Sequence, residues 1–138
     1  MLLKCIAITG ASLGPHRRGP YYFQETKYDL TIGKHYEAYA IIMINCGLAV
    51  LVTDDDDDPF WYPLQAFTIE DGAVPKSWAF RFFPDVEPGG MPGEYQAQAI
   101  WGYSEMVYSD EHNDMLMDRA PEAREAFYAA RDRQDRGS

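Results

Sequence analysis

The chain has little of what most catalytic or membrane-bound proteins use. Only two of its 138 residues are cysteine, Cys5 and Cys46, and neither stands at a metal-finger or redox spacing from the other. Its three histidines, His16, His35 and His112, are scattered over unrelated segments. Cys46 with His35 or His112 is a conceivable nucleophile and base pairing, and it has no local signature. No catalytic residue, metal site or cofactor is therefore expected. The longest apolar stretch, Ala38 to Val52, is broken at Asn45, Cys46 and Gly47, short of the ~18 residues a membrane span requires. The opening residues Met1 to Ile8 are too few for a signal peptide and lack its cleavage site. A cytoplasmic protein with free, buried thiols is expected.

Basic residues are also scarce, 12 Lys and Arg against 22 Asp and Glu, and the imbalance is local. Residues 54–118 hold fifteen acidic side chains and two basic ones, whereas the segments on either side are close to neutral. Such a block repels phosphate backbones and anionic lipid heads, which excludes nucleic acid and membrane as partners and favours a basic protein surface.

What the chain has in quantity is aromatic side chains: three tryptophans, ten tyrosines and seven phenylalanines. Its length suits one domain with one real core, here 1–138 as a whole. Residues 1–29 read as a strand, Lys4 to Thr9, and a long surface loop, Gly10 to Asp29, punctuated by Gly and Pro. Residues 30–83 read as five short strands. Tyr36 to Ile44 and Leu48 to Thr53 flank an Asn45-Cys46-Gly47 turn, Phe60 to Tyr62 is the third, Phe67 to Glu70 the fourth and Trp78 to Phe83 the fifth. Trp61, Tyr62, Phe67 and Trp78 are expected in the core.

Residues 84–102, rich in Pro and Gly at their start, read as a connection. Residues 103–134 read as helical, with Tyr103 to Tyr108 as a short helix and Asp110 or Asn113 capping a second. Pro121 opens a third, on which Ala123, Phe127 and Ala130 share one face. The fold class is α+β: a five-stranded bent antiparallel sheet or small barrel with C-terminal helices.

Two motifs invite chemistry. Ile8 to Gly14 resembles a dinucleotide phosphate loop, but Pro15 to Pro20 follows where a helix would have to run, so it reads as a glycine-rich loop. Asp54 to Asp58 is the strongest local feature. A calcium loop alternates its ligands and turns on a glycine, and this run does neither. The run is expected to be exposed and metal-free, and its replacement by Asn to change stability little. With Glu70 and Asp71 it forms the candidate partner-binding surface: Asp54, Asp55, Asp56, Asp57, Asp58, Glu70 and Asp71. A solvated connection whose charge protects a sheet edge is the competing reading.

The segments Leu30-Thr31-Ile32-Gly33-Lys34-His35-Tyr36-Glu37, Asp54 to Asp58, Trp61-Tyr62-Pro63 and Phe67 resemble a bacterial Src-homology-3-like (SH3-like) small-barrel family. Trp78, Gly102 to Val107, His112, Asp114 and Arg119 extend the likeness over about residues 30–130. The resemblance implies an SH3-like barrel, and it implies an immunity protein that binds and neutralises a cognate bacterial toxin used in competition between cells. The partner implied is a toxin domain with a basic active-site cleft. The alternative is an adaptor-type barrel that binds a protein or peptide without any toxin partner.

Overall fold

The computed structural model describes residues 1–13, 27–44, 47–85 and 97–137. Most of the expected loop before Asp29, the Asn45-Cys46 turn and most of the Pro84 to Gly93 connection lie outside the described residues. In chain order the elements are β1 (Leu2–Cys5), α1 (Gly10–Leu13), β2 (His35–Glu37), β3 (Ala40–Ile44), β4 (Gly47–Thr53) and β5 (Pro59–Pro63). A 3-10 turn (Leu64–Ala66), β6 (Phe67–Asp71), β7 (Ala79–Phe82), β8 (Ala97–Gly102), α2 (Ser104–Tyr108), α3 (His112–Met117) and α4 (Pro121–Gly137) follow. The class is α+β, with two antiparallel sheets ordered β5-β4-β3-β8-β7 and β2-β1-β6. Among the described residues neither sheet closes on itself.

The layering follows from β4. Its run Ala49-Val50-Leu51-Val52 lacks the polar alternation of a half-exposed strand, and all four residues are buried. Ala49 and Leu51 face one apolar cluster with Ile42, Trp61, Ile100 and the helical residues Val107, Leu116 and Phe127. Val50 and Val52 face a second cluster with Leu3, Cys5, Tyr36, Tyr62 and Phe67. The large sheet thus carries the helices on one face and the small sheet on part of the other. Complete burial of Val50, Leu51 and Val52 contributes roughly 1.5–3 kcal/mol each.

Several expectations change. The five strands do not form one sheet: Tyr36 lies in β2 and Phe67 in β6, both paired with β1 in the small sheet. β1 ends at Cys5, because the next two amides, of Ile6 and Ala7, donate to the Ala66 carbonyl instead of a strand. Tyr28, expected on a surface loop, is buried edge-on against Tyr62. β8 occupies the end of the supposed connection and is the inner partner of both β3 and β7. Its Ala-Gln-Ala start has weak strand propensity, so only the pairing reveals it. Asp110 and Asn113 do not cap α3. The Ser109 hydroxyl accepts from the Glu111 and His112 amides, while Asp110 pairs with Arg81.

The long helix α4 matches its expected face. Ala123, Phe127, Ala130 and Gln134 are buried, and Phe127 stands edge-on to Tyr39, Tyr103 and Tyr128. Gln134, overlooked because it is polar, is fully engaged. Its amide nitrogen donates to the Ala38 carbonyl at 2.8 Å and to Glu37, and its oxygen accepts from Trp78 Nε1 at 2.8 Å.

Gly102 sits where β8 crosses β3. A Cβ there would fall 2.6 Å from the Ala40 Cβ and 3.1 Å from the Tyr39 carbonyl. Gly102→Ala should cost about 1–3 kcal/mol, read as a lower urea midpoint with an unchanged slope. An unchanged midpoint would show that β3 and β8 are further apart than described.

Candidate functional site

The acidic run is the β4–β5 hairpin loop, and its first residue builds the turn. The Asp54 amide donates to the Asp58 carbonyl, and the Asp54 carboxylate accepts the amides of Asp56 and Asp58 at 2.9 and 3.1 Å. Asp57 takes the left-handed backbone conformation, φ 61°, which Asp tolerates better than most side chains. Asp54 also accepts from the Tyr62 hydroxyl at 3.2 Å, which ties the turn to β5.

The other carboxylates reach out in two directions. Asp55 accepts from the Thr31 hydroxyl at 2.6 Å, the Tyr36 hydroxyl at 2.7 Å and the Lys34 ammonium at 2.9 Å. The Thr31 hydroxyl, then Lys34 and Tyr36, hold its carboxyl down at about 2, while burial and the same bond push the Tyr36 phenol up to about 12. On the opposite side Asp57 pairs with Arg131, and Asp58 pairs with both Arg119 and Arg124. The Tyr128 hydroxyl donates to the Asp57 carbonyl at 2.6 Å, and the Arg124 and Arg131 guanidinium groups lie over the Tyr128 ring.

The hairpin therefore clasps the segment before β2 on one side and the α3–α4 region on the other. The run is only partly exposed: Asp54 and Asp58 are half-buried, and Asp55, Asp57 and Asp58 hold cations of the same chain. Replacing these three is thus expected to destabilise the fold, which reverses the expectation of little change.

Asp56 is different. It hydrogen-bonds the carboxyl of Asp29, a residue that sequence reading missed and that the fold brings up from 25 positions before Asp54. One oxygen from each of Asp29, Asp54 and Asp56 lies within 4.8 Å of the others, and these three are the residues with which the hairpin could hold a cation. In the folded chain the bond to Asp56, helped by desolvation and the charges of Asp54, Asp55 and Asp56, pushes the Asp29 carboxyl up to about 6. Glu70 and Asp71 lie apart from this hairpin, exposed on β6 at an edge of the small sheet. Among the described residues no lysine or arginine pairs with Asp56, Glu70 or Asp71.

The remaining chemical candidates lie elsewhere. His35 is exposed on β2, whereas His112 is buried with its Nε2 2.7 Å from the Tyr103 hydroxyl. Burial lowers the proton affinity of His112 and raises the Tyr103 phenol. Cys5 is buried, with its thiol pushed up by burial and donating to the Ala7 carbonyl. Cys46 lies outside the described residues. The glycine-rich motif does form one helical turn, α1, with the Thr9 hydroxyl accepting from the Ser12 amide. The strand before it sits in an antiparallel sheet, unlike that of a dinucleotide fold.

These shifts give a pH profile with defined signs. The Asp55 contribution is complete above about pH 4 and is lost as pH falls toward 2, because its folded carboxyl lies below the ordinary 3.8. The His112 contribution is lost as pH falls below its ordinary 6.5. The Asp29 contribution runs the other way: it is complete below 3.8 and lost as pH rises through about 6. Asp29→Asn should therefore raise the melting temperature at pH 7, with the gain vanishing below pH 4. Asp55→Asn should lower it at pH 7 and flatten the acid limb. Equal melting curves for Asp55→Asn and the parent chain would remove the clasp.

No family model, curated protein or solved structure matches the chain.

Proposed function

We propose that this chain is a binding protein without catalysis, an immunity protein that covers a toxin domain bearing a basic cleft. One observation carries the reading: acidic side chains remain exposed after the clasp has used its own. Among the described residues Asp56, Glu70, Asp71 and Asp114 have no cationic partner. Exposed charge of one sign speeds encounter with a complementary surface and selects against other partners. The resemblance over residues 30–130 supports the choice of a toxin as that partner. No helix among the described residues is long and apolar enough to cross a bilayer.

A second reading, an adaptor that captures a peptide, is favoured by the edge of β7, which has no outer strand neighbour among the described residues, and by its exposed phenylalanines. Co-expression with the product of the neighbouring gene separates the two. Cells should survive with this protein and die without it, and the two proteins should co-purify. Death in both cases with no complex would leave the adaptor reading. In the complex, Glu70→Gln with Asp71→Asn should slow association severalfold and weaken its salt dependence without changing the melting temperature. An unchanged association rate would take β6 out of the interface.

A further inference from the structure

The large sheet ends in β7, which has a single strand neighbour among the described residues. The register pairs Phe80 with Trp101, Arg81 with Ile100 and Phe82 with Ala99, and the Phe83 amide donates to the Gln98 carbonyl at 2.9 Å. Bonded and non-bonded pairs alternate along an antiparallel ladder. Arg81 thus turns its backbone groups toward β8, and Phe80 and Phe82 turn theirs outward. No described residue bonds to these outward groups.

The two faces of this edge differ. Away from the helices the Phe80 and Phe82 side chains are 50% and 62% exposed, with the Phe80 ring 4.8 Å from that of Trp101. On the helix side Asp110 and Asp114 stand with Arg81 and Phe83 around a cleft of about 230 Å³ floored by apolar side chains. Proteins usually blunt such an edge by keeping it short or with a proline, a bulge or a charge. β7 is short, at four residues, but it has no proline, and its one charge, Arg81, is neutralised by Asp110 at 2.9 Å.

We propose that β7 receives an extended segment of a partner protein as a sixth strand, apolar toward Phe80 and Phe82 and basic toward Asp114. Main-chain pairing supplies the affinity of such an addition, and alternate side chains supply its selectivity. A second copy of this chain fits less well. A symmetric β7 pair would bring together two chains that each carry a net charge of −10. This inference rests on the reading of the chain as a binding protein and narrows it to a strand-shaped ligand with basic side chains.

The probe is a blocked heptapeptide of alternating lysine and valine, titrated against the full chain by NMR and hydrogen exchange. The Phe80 and Phe82 amides should exchange at least tenfold more slowly when it binds, with Arg81 little changed. Phe82→Pro removes the outward N–H and spares the ladder to β8. It should weaken binding at least tenfold, and Phe82→Ala, which keeps the N–H, should weaken it less. The same peptide methylated on alternate backbone nitrogens tests the pairing without altering the protein, and it should not bind. Replacing its lysines by glutamate should cost at least tenfold. Unprotected Phe80 and Phe82 amides, tight binding by the methylated peptide, or equal binding by the glutamate peptide would each overturn the proposal. A toxin domain held while these amides exchange freely would overturn it and leave the immunity reading in place. Peptide capture by a chain that fails to protect cells would do the reverse.

Discussion

A strand buried on both faces is the constraint on which the rest of this structure depends. Val50, Leu51 and Val52 of β4 are all fully buried, so each face of the large sheet there must be covered by a separate apolar layer. The helices supply one layer through Val107, Leu116 and Phe127. The small sheet supplies the other through Leu3, Cys5 and Phe67. Cover is incomplete toward β7, and the bare aromatic side chains are found there.

The acidic hairpin extends from the end of that same strand, which explains how one short loop touches both layers. Its consecutive aspartates divide the work. Asp54 closes the turn, Asp55 bonds the segment leading into β2, and Asp57 and Asp58 bond α4 and its approach. Exposed ion pairs contribute little one by one. Here the bonds share a rigid turn and an aromatic ring, so their geometry is fixed in advance. Packing these carboxylates against Asp29 has a cost, which appears in the Asp29 carboxyl being pushed up to about 6.

This division bears on function. A carboxylate held by cations of its own chain presents little field to a partner, whereas Glu70, Asp71 and Asp114 keep theirs. On the proposed binding role, the surfaces left for recognition are the edges of the sheets, β6 with its acids and β7 with its phenylalanines, more than the aspartate run itself.

The sequence by itself determined the α+β class, the β3–β4 hairpin, β5 and the buried face of α4. These follow from local rules: alternation or continuity of apolar residues for strands, and the Ala123, Phe127 and Ala130 spacing for the helix. It also determined that Trp61, Tyr62 and Phe67 are core, because large aromatic surfaces on short strands must be buried. Only the tertiary structure decided how strands partition between two sheets, since pairing joins residues far apart in the chain, as Leu3 joins Tyr36 and Ile69. It alone disclosed β8, whose Ala-Gln-Ala start carries little strand signal until β3 and β7 flank it. The same holds for the aspartates. Their number and sign were legible, but whether a carboxylate meets its own arginine or a partner's depends on where Arg119, Arg124 and Arg131 come to rest, and no local rule sets that distance.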